Sequence, residues 1–537
     1  MADTKEQLKK ILGEIPLTAE IYWLARRTEE PTNPVFSLRN IKSVLPDAVA
    51  DAAKFRQSAP AGKKVFLFSS THKWLEINVF LGLALAGQGH DVNLGYYPFG
   101  EWNIQSNLFD LRRQSAYARS ILRQVSPVMN TINLFRPNSS LANPPKSVQD
   151  VVKEVSDFDY MYALQTEEVD ETDQFYNFRY DRNLQAAKTL CKYLQKLKPD
   201  VVIVPNGTIL EMGIAYRISR LLKIPTATFE FSDQRQVMWL AQNGEIMQQN
   251  TDLLWNNANG RELDKKELKQ VESLMASRKN ASLYGNFSRQ WQKTPSQGAG
   301  TIKEKLGLDD RPVLLMATNV MGDSLTLGRQ VFSRSMAEWI NRTIQYFIQV
   351  PNIQLVIRIH PGESLVKHGS IHDMIKHTLP ELPEHIHVIE PEADVNTYDL
   401  MELASLGLVY TTTVGLEMAL HGIPVVVSGK THYRNRGFTH DPDSWVQYFK
   451  ILNTLLSNIR SERLTEEQVN LAWKYTYLFF FEYSHPFPWH IASRKDGFQE
   501  FSLKSVLSAS GRKKYGSTFD LLTFTKVLEL KINNKEN

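Results

Sequence analysis

Four apolar residues, Val65-Phe66-Leu67-Phe68, run straight into the polar stretch Ser69-Ser70-Thr71-His72. Beyond it Ile77, Phe80, Leu81, Ala84 and Leu85 recur at helical spacing. The order is strand, polar loop, helix. Gly87, Gly89 and His90 stop that helix, and an extended pattern resumes over 92–96, which completes a βαβ unit and starts a parallel sheet. A second unit follows Lys198-Pro199-Asp200. It has a strand over 201–204, the turn Pro205-Asn206-Gly207-Thr208, and a helix carrying Ile214, Ala215, Ile218, Leu221 and Leu222. Pro225 then opens a strand over 226–229. Both units predict a doubly wound α/β domain.

The stretch over 242–305 is polar with a weak apolar rhythm, and reads as helices of the first domain running into a linker. After Pro312 strand patterns return at 313–316, 355–357, 387–389, 406–410 and 425–427, mostly separated by helical patterns, so a second doubly wound domain is expected over about 311–450. A chain of 537 residues is longer than one core normally supports. Four segments are therefore expected. Residues 1–60 form an N-terminal helical extension, and 61–300 a Rossmann-like domain with helical insertions and linker. Residues 301–465 form a second Rossmann-like domain, and 466–537 a helical segment that crosses back to brace the first.

Several classes are disfavoured. With 42% hydrophobic and 22% charged residues the chain is globular rather than disordered. A net charge of +4 argues against a protein built to hold nucleic acid. The single cysteine, Cys191, permits no internal disulfide and no cysteine cage for a metal. Residues 1–12 lack the apolar stretch of a signal peptide, and no stretch approaches the roughly 20 apolar residues of a spanning helix. The expectation is a cytoplasmic protein, with peripheral association at the inner membrane face or with a polysaccharide assembly complex as a further option.

The most informative stretch is Tyr410-Thr411-Thr412-Thr413-Val414-Gly415-Leu416-Glu417, where a strand ends in hydroxyls and a glycine as a helix begins. Free N–H groups beside Thr412, Thr413, Val414 and Gly415 would suit a phosphate, and Glu417 in the first turn would accept from ribose hydroxyls. The alternative is that Thr412 or Thr413 caps the helix and Gly415 lets it pack on the sheet. At the end of another strand stand Arg358, His360 and Pro361; His360 would donate to a phosphate and Arg358 offset its charge, or His360 is structural. The turn Thr318-Asn319-Val320 follows the first strand of this domain, with Asp323 either beside the donor or capping a helix. The loop 429–441 offers Tyr433, Arg434 and Arg436 to donor or acceptor, the alternative being that one or more of them is simply solvated.

Together these residues resemble the capsule polysaccharide biosynthesis family, whose members include bacterial Kdo transferases of capsule export. The resemblance rests on Thr318-Asn319-Val320, His360-Pro361, the segment 413–417 and the loop 433–439, and covers 311–441. Elsewhere it rests on Asn206-Gly207 and Glu230. It implies an α/β protein of GT-B architecture, two Rossmann-like domains facing a cleft. The first would present a saccharide or lipid-linked acceptor and the second would hold a nucleotide-sugar donor. His360 and the residues 412–415 would contact donor phosphate. The donor's sugar and nucleotide are not carried over.

An inverting transfer needs a base for the acceptor hydroxyl. Glu230, at the end of the strand 226–229, is the first choice and His72 the second; Glu76 and Glu211 are weaker because both fit equally well as first-turn residues of helices. No cofactor and no metal is expected, since helix N-termini and basic side chains can neutralise a leaving phosphate. Asp157-Phe158-Asp159 and Asp441-Pro442-Asp443 match the Asp-x-Asp metal signature of another architecture but follow no predicted strand.

Three rivals remain. A polyol-phosphate transferase of teichoic-acid polymerase type would use CDP-glycerol, but usually shows Asp-Tyr-Ser-Ser where this chain has Tyr410-Thr411-Thr412-Thr413. A nucleotide-sugar 2-epimerase would not need the 431–441 loop. A non-catalytic scaffold that binds nucleotide or glycan would use the aromatic and basic end, with Trp473, Tyr475, Tyr477, Phe479, Phe480, Phe481 and Trp489, as a docking surface.

Overall fold

Each long apolar run becomes a strand with its interior residues buried, since only a sheet covered on both faces can hide side chains of both parities. The computed structural model describes residues 2–26, 36–135, 144–288, 292–365 and 370–529. The strands are β1 (Lys64–Thr71), β2 (Asp91–Phe99), β3 (Asn130–Asn133), β4 (Val201–Pro205), β5 (Thr226–Glu230), β6 (Val237–Gln242), β7 (Val313–Ala317), β8 (Gln354–Arg358), β9 (Ile386–Ile389), β10 (Ala404–Val409) and β11 (Val425–Val427).

The chain divides into two units. The first gathers Met1–Asp159, Asp170–Met247 and Ser484–Leu528, the second Tyr160–Val169, Gln248–Tyr483 and Glu529–Asn537. Residues 248–300, expected in the first domain, thus cluster with the second unit. The physical reason lies partly in the helix Lys265–Lys279, whose Arg278 forms a buried ion pair with Glu417. Of the C-terminal segment, 484–528 packs with the first unit and 466–483 with the second.

The sheet of the first unit has the order β3-β2-β1-β4-β5-β6, extended by the two-residue strand His485–Pro486. Strands β1 to β5 are parallel and β6 is antiparallel to β5. The second unit repeats the logic with β9-β8-β7-β10-β11, all parallel. In both, chain order reverses between the first strand and the fourth, which is the switch point where open parallel sheets bind ligands outside their carboxyl ends. Two doubly wound units in one chain are the components of the GT-B architecture.

Besides the two-residue strand His485–Pro486, which interrupts a segment expected to be helical, two of the eleven numbered strands were not foreseen. Asn-Thr-Ile-Asn of β3 is polar because it is an edge strand held by backbone pairing to β2. In β6, Met238 and Leu240 are buried while Val237, Trp239 and Ala241 are half-buried, the alternation of a strand with one covered face.

The core of the second unit shows how the switch point is fixed. The helix Met336–Ile348 buries Trp339, Ile340, Ile344 and Phe347 against Leu314, Met316, Ile357 and Leu408 of the sheet. Ser335 caps it by accepting from the N–H of Glu338 at 3.0 Å. Glu167 adds a carboxylate that accepts from the N–H groups of Met336 and Ala337, both at 2.8 Å.

Candidate functional site

In the second unit the loops after β7, β8 and β10 are tied together by polar groups. Asn319 Oδ1 accepts from the N–H of Thr411 at 3.1 Å, bridging the two strand ends that flank the switch point. Thr318 Oγ1 accepts from the N–H of His360 at 3.1 Å, and Thr318 N–H donates to the carbonyl of Arg358 at 3.1 Å. After β11, Gly429 N–H donates to the carbonyl of Tyr410 at 3.0 Å, and a Cβ on Gly429 would lie 2.8 Å from Thr411 Cγ2. This close approach sets the ends of β10 and β11 side by side.

Two buried hydroxyls stand at those ends. Thr411 Oγ1 and Ser428 Oγ have no hydrogen-bond partner among the described residues. Burying a hydroxyl without a partner costs on the order of 1–3 kcal/mol. The first helical N–H groups are loosely held as well. Val414 N–H reaches Thr412 Oγ1 and Gly415 N–H reaches the Thr412 carbonyl, each at 3.4 Å, beyond the usual range for such a bond. Thr413 makes no side-chain cap.

His360 is exposed, and its Nδ1 accepts from the N–H of Gly362 at 2.9 Å. A neutral ring so held carries its proton on Nε2, which makes that nitrogen a donor. Pro361 is exposed and opens the turn Pro361–Leu365. Arg358 is buried and donates through Nη1 to the carbonyl of Glu390, while its Nε has no partner. Burial lowers its pKa to about 10, partly offset by Glu392, so it stays charged at neutral pH.

Four expected contacts take other roles. Tyr433 is fully enclosed, and its hydroxyl donates to the carbonyl of Thr412 at 2.6 Å. It supports the Thr412–Gly415 turn from the interior and does not face outward, because the loop 429–441 folds back onto the sheet. Gly415 is required by that packing, since a Cβ there would lie 2.5 Å from Tyr433 Oη and 2.8 Å from Val409 Cγ2. Glu417 is buried and ion-paired to Arg278, with Tyr398 hydrogen-bonded to it, so its carboxylate serves the interior of the unit. Arg436 pairs with Asp252 at 2.6 Å and donates to Thr251 Oγ1 at 3.1 Å, anchoring the loop. Arg434 likewise binds the carbonyls of Val427 and Pro442, both at 2.6 Å. Sequence reasoning included Thr411 only as one hydroxyl of the 411–413 cluster and passed over Ser428, whose signal was a position one residue past the end of the strand beside it.

In the first unit the switch point lies between β1 and β4. Asn206 and Gly207 take positive φ of 59° and 82° directly after β4, a turn that suits these residue types. Asn206 Oδ1 accepts from the N–H of Thr208 at 3.1 Å, and its Nδ2 donates to Glu230 Oε2 at 3.0 Å. Glu230 Oε1 accepts from the N–H of Phe231 at 2.9 Å. Burial nevertheless dominates and lifts the Glu230 carboxyl from 4.5 to about 7. A carboxyl so poised can take or give a proton at neutral pH.

His72 opens the helix His72–Gly87. Burial, with Arg494 and Lys73, lowers its pKa to about 4, and its Nδ1 is buried without a partner. It is neutral at pH 7. Glu76 is fully buried and accepts from Asn40 Nδ2 at 3.0 Å and Arg494 Nε at 2.8 Å. Glu211 pairs with Arg179 at 3.1 Å and Arg182 at 2.6 Å. In each glutamate one oxygen is taken by these structural pairs, while Glu76 Oε1 and Glu211 Oε2 have no hydrogen-bond partner among the described residues. Asp159 pairs with Arg179 at 2.9 Å, and Asp443 with Arg434 at 2.9 Å, so each Asp-x-Asp run has an internal use.

Comparison with known proteins falls on the same loops of the second unit. Residues 279–451 match the family described as "Capsule polysaccharide biosynthesis protein". That segment, less than half of the chain, contains β7 to β11 and the loops built around Asn319, His360, Thr411 and Tyr433. His72 and Glu230 lie outside the capsule polysaccharide segment. No curated protein matches the chain. Among solved structures, it is similar to the KpsC β-Kdo 2,4-transferase of Thermosulfurimonas dismutans, with 15% identity and a TM-score of 0.33, over 51% of this chain and 78% of that one. It is also similar to Acinetobacter baumannii MurG, with 13% identity and a TM-score of 0.26, over 81% of this chain and 99% of that one. A third is the Methanocaldococcus jannaschii UDP-GlcNAc 2-epimerase, with 12% identity and a TM-score of 0.27, over 78% and 99%. Among the described residues no helix is long and apolar enough to cross a membrane.

Proposed function

We propose that this protein is a glycosyltransferase of bacterial surface or capsular polysaccharide synthesis, moving a sugar from a nucleotide-sugar donor to a saccharide or lipid-linked acceptor. One observation carries the reading. The segment that matches the capsule polysaccharide family ends its strands at the switch point where Thr411 and Ser428 hold buried hydroxyls without partners.

In this reading the donor phosphate lies at the turn of Thr411, Thr412, Thr413, Val414 and Gly415. His360 Nε2 donates to it and the Arg358 charge offsets it. Asn319 holds the Thr411 backbone in place. Glu230 removes the proton of the acceptor hydroxyl. The acceptor oxygen forms a bond to the anomeric carbon, the bond from that carbon to the phosphate oxygen breaks, and the nucleotide leaves with the electron pair, which inverts the anomeric centre. The neutral His72 beside β1 is the second choice for the base. Metal independence belongs to the same proposal and is tested by turnover in EDTA. Peripheral association with the inner membrane face or an assembly complex is a further part of the reading.

Mass-spectrometric screening of the purified protein against CMP-, UDP-, GDP- and dTDP-sugars, first for nucleotide release and then for acceptor-dependent transfer, tests it. Consumption of CDP-glycerol or CDP-ribitol alone would overturn it in favour of polyol-phosphate transfer.

A further inference from the structure

The first unit contains a cavity of about 250 Å³ whose lining includes neither His72 nor Glu230. It opens beyond the carboxyl ends of β2 and β3, where Tyr97, Phe99, Leu134 and Phe135 stand. Leu111 and Phe178 complete an apolar wall. Tyr97 and Phe99 stack with centroids 5.0 Å apart, and Phe135 meets Phe99 edge-on at 6.3 Å, so the rings form a continuous aromatic wall.

Into this lining is set one guanidinium. The Arg182 side chain is 9% exposed, and its central carbon lies 3.4 Å from the centroid of the Phe99 ring. Its Nε contacts Glu211 Oε1 at 2.6 Å and its Nη1 donates to the carbonyl of Glu101 at 3.3 Å. Its Nη2 is buried with no hydrogen-bond partner among the described residues. Glu211 Oε1 is already shared with Arg179 at 3.1 Å. Burial lowers the Arg182 pKa to about 10, which still leaves it charged at neutral pH. A buried guanidinium with a spare donor is a strong receptor for a planar or tetrahedral anion. The polar lining residues Ser106, Asp181, Gln185 and Thr189 offer acceptors and donors suited to hydroxyls.

We propose that this cavity is a subsite for one saccharide unit bearing a carboxylate or a phosphate monoester. The anion sits on Arg182 Nη2, the ring's apolar face lies on the wall of Leu111, Leu134 and Phe135, and hydroxyls meet Asp181, Gln185 and Thr189. As a statement about the acceptor it rests on the glycosyltransferase reading; as a binding site it does not.

Saturation-transfer NMR on the full chain with methyl β-D-glucuronide, glucose 6-phosphate and methyl β-D-glucoside tests it. At least one anionic probe is expected to bind tenfold or more tighter than the glucoside, and whichever does so identifies the anion. Arg182→Gln should remove that preference. Because Arg182 belongs to a buried network, Gln185→Trp at an exposed lining position gives an independent check, filling the cavity and abolishing binding of the anion while Arg182 is retained. Equal binding of glucoside and both anions, or anion binding untouched by Gln185→Trp, overturns the subsite. Nucleotide release is measured on the same preparations. Responsive anion binding without release from any nucleotide sugar keeps the subsite and removes the glycosyltransferase reading; release with indifferent anion binding does the reverse.

Discussion

Glu230→Gln separates chemistry from binding most sharply. The carboxyl is raised from 4.5 to about 7 by burial, despite hydrogen bonds from Asn206 Nδ2 at 3.0 Å and Phe231 N–H at 2.9 Å. A shift of that size corresponds to about 3 kcal/mol favouring the protonated form. Because the folded pKa lies above the unfolded one, the stability it contributes is complete below about 4.5 and is lost as pH rises through about 7. The amide cannot ionise, so Glu230→Gln should be more stable than the parent at pH 8, by no more than about 3 kcal/mol. It should also turn over some 10²- to 10⁴-fold more slowly, the usual contribution of a general base, with nucleotide affinity within twofold. In the parent, turnover should rise about tenfold per pH unit below 7 and level off above it. Asn206→Asp keeps an acceptor for the N–H of Thr208 but replaces the donor to Glu230 by a like charge. Loss of a hydrogen bond to a charged group, about 1.5–3 kcal/mol, moves the midpoint up by about 1–2 pH units. Nucleotide release against pH at saturating donor, with thermal melts of each variant, reads all of this. Full turnover in Glu230→Gln, or a profile that Asn206→Asp leaves in place, refutes the assignment of the base.

Three further outcomes follow from the second unit. His360→Ala, at an exposed side chain, should weaken nucleotide binding about tenfold by calorimetry with little change in melting temperature, since one charge-assisted bond is lost. Gly415→Ala places a methyl 2.5 Å from Tyr433 Oη and should destabilise by about 1–3 kcal/mol in urea. Adding Tyr433→Phe should relieve part of that, giving a non-additive double mutant. Arg278→Met leaves the Glu417 carboxylate buried without its ion-pair partner and should cost about 3–5 kcal/mol by the same assay.

Periodicity and turn chemistry made the strands legible. The runs at 65–68, 201–204, 313–316 and 406–410 all lie on central strands, where burial on both faces leaves a long apolar signature. β3 escaped because an edge strand held by backbone pairing needs no apolar side chains, and Asn130 and Asn133 look like a turn. Residues 242–305 read as polar linker, because Val271 and Leu274 are the main apolar residues that the helix Lys265–Lys279 buries. Its attachment to the second unit depends on Arg278, a residue whose pattern looks solvated until its partner is known.

The candidate site divides along the same line. Residues whose role depends on position at a strand end, such as Asn206, Asn319 and Thr411, are found by counting from the strand, because backbone geometry delivers them to the carboxyl edge of the sheet. Residues whose role depends on a distant partner are not. Glu417 stands in the first turn of its helix, where sequence alone permits either a ribose or a cation as partner; Arg278 decides it from the helix Lys265–Lys279. Tyr433 and Thr412 form the same kind of pair, joined by a bond of 2.6 Å that an aromatic loop residue does not advertise. If the buried Arg278–Glu417 pair sets the conformation of the Thr411–Gly415 turn, its loss should weaken nucleotide binding at temperatures where the fold persists. A variant of Arg278 that melts earlier yet binds nucleotide normally below its transition would place the pair in folding alone.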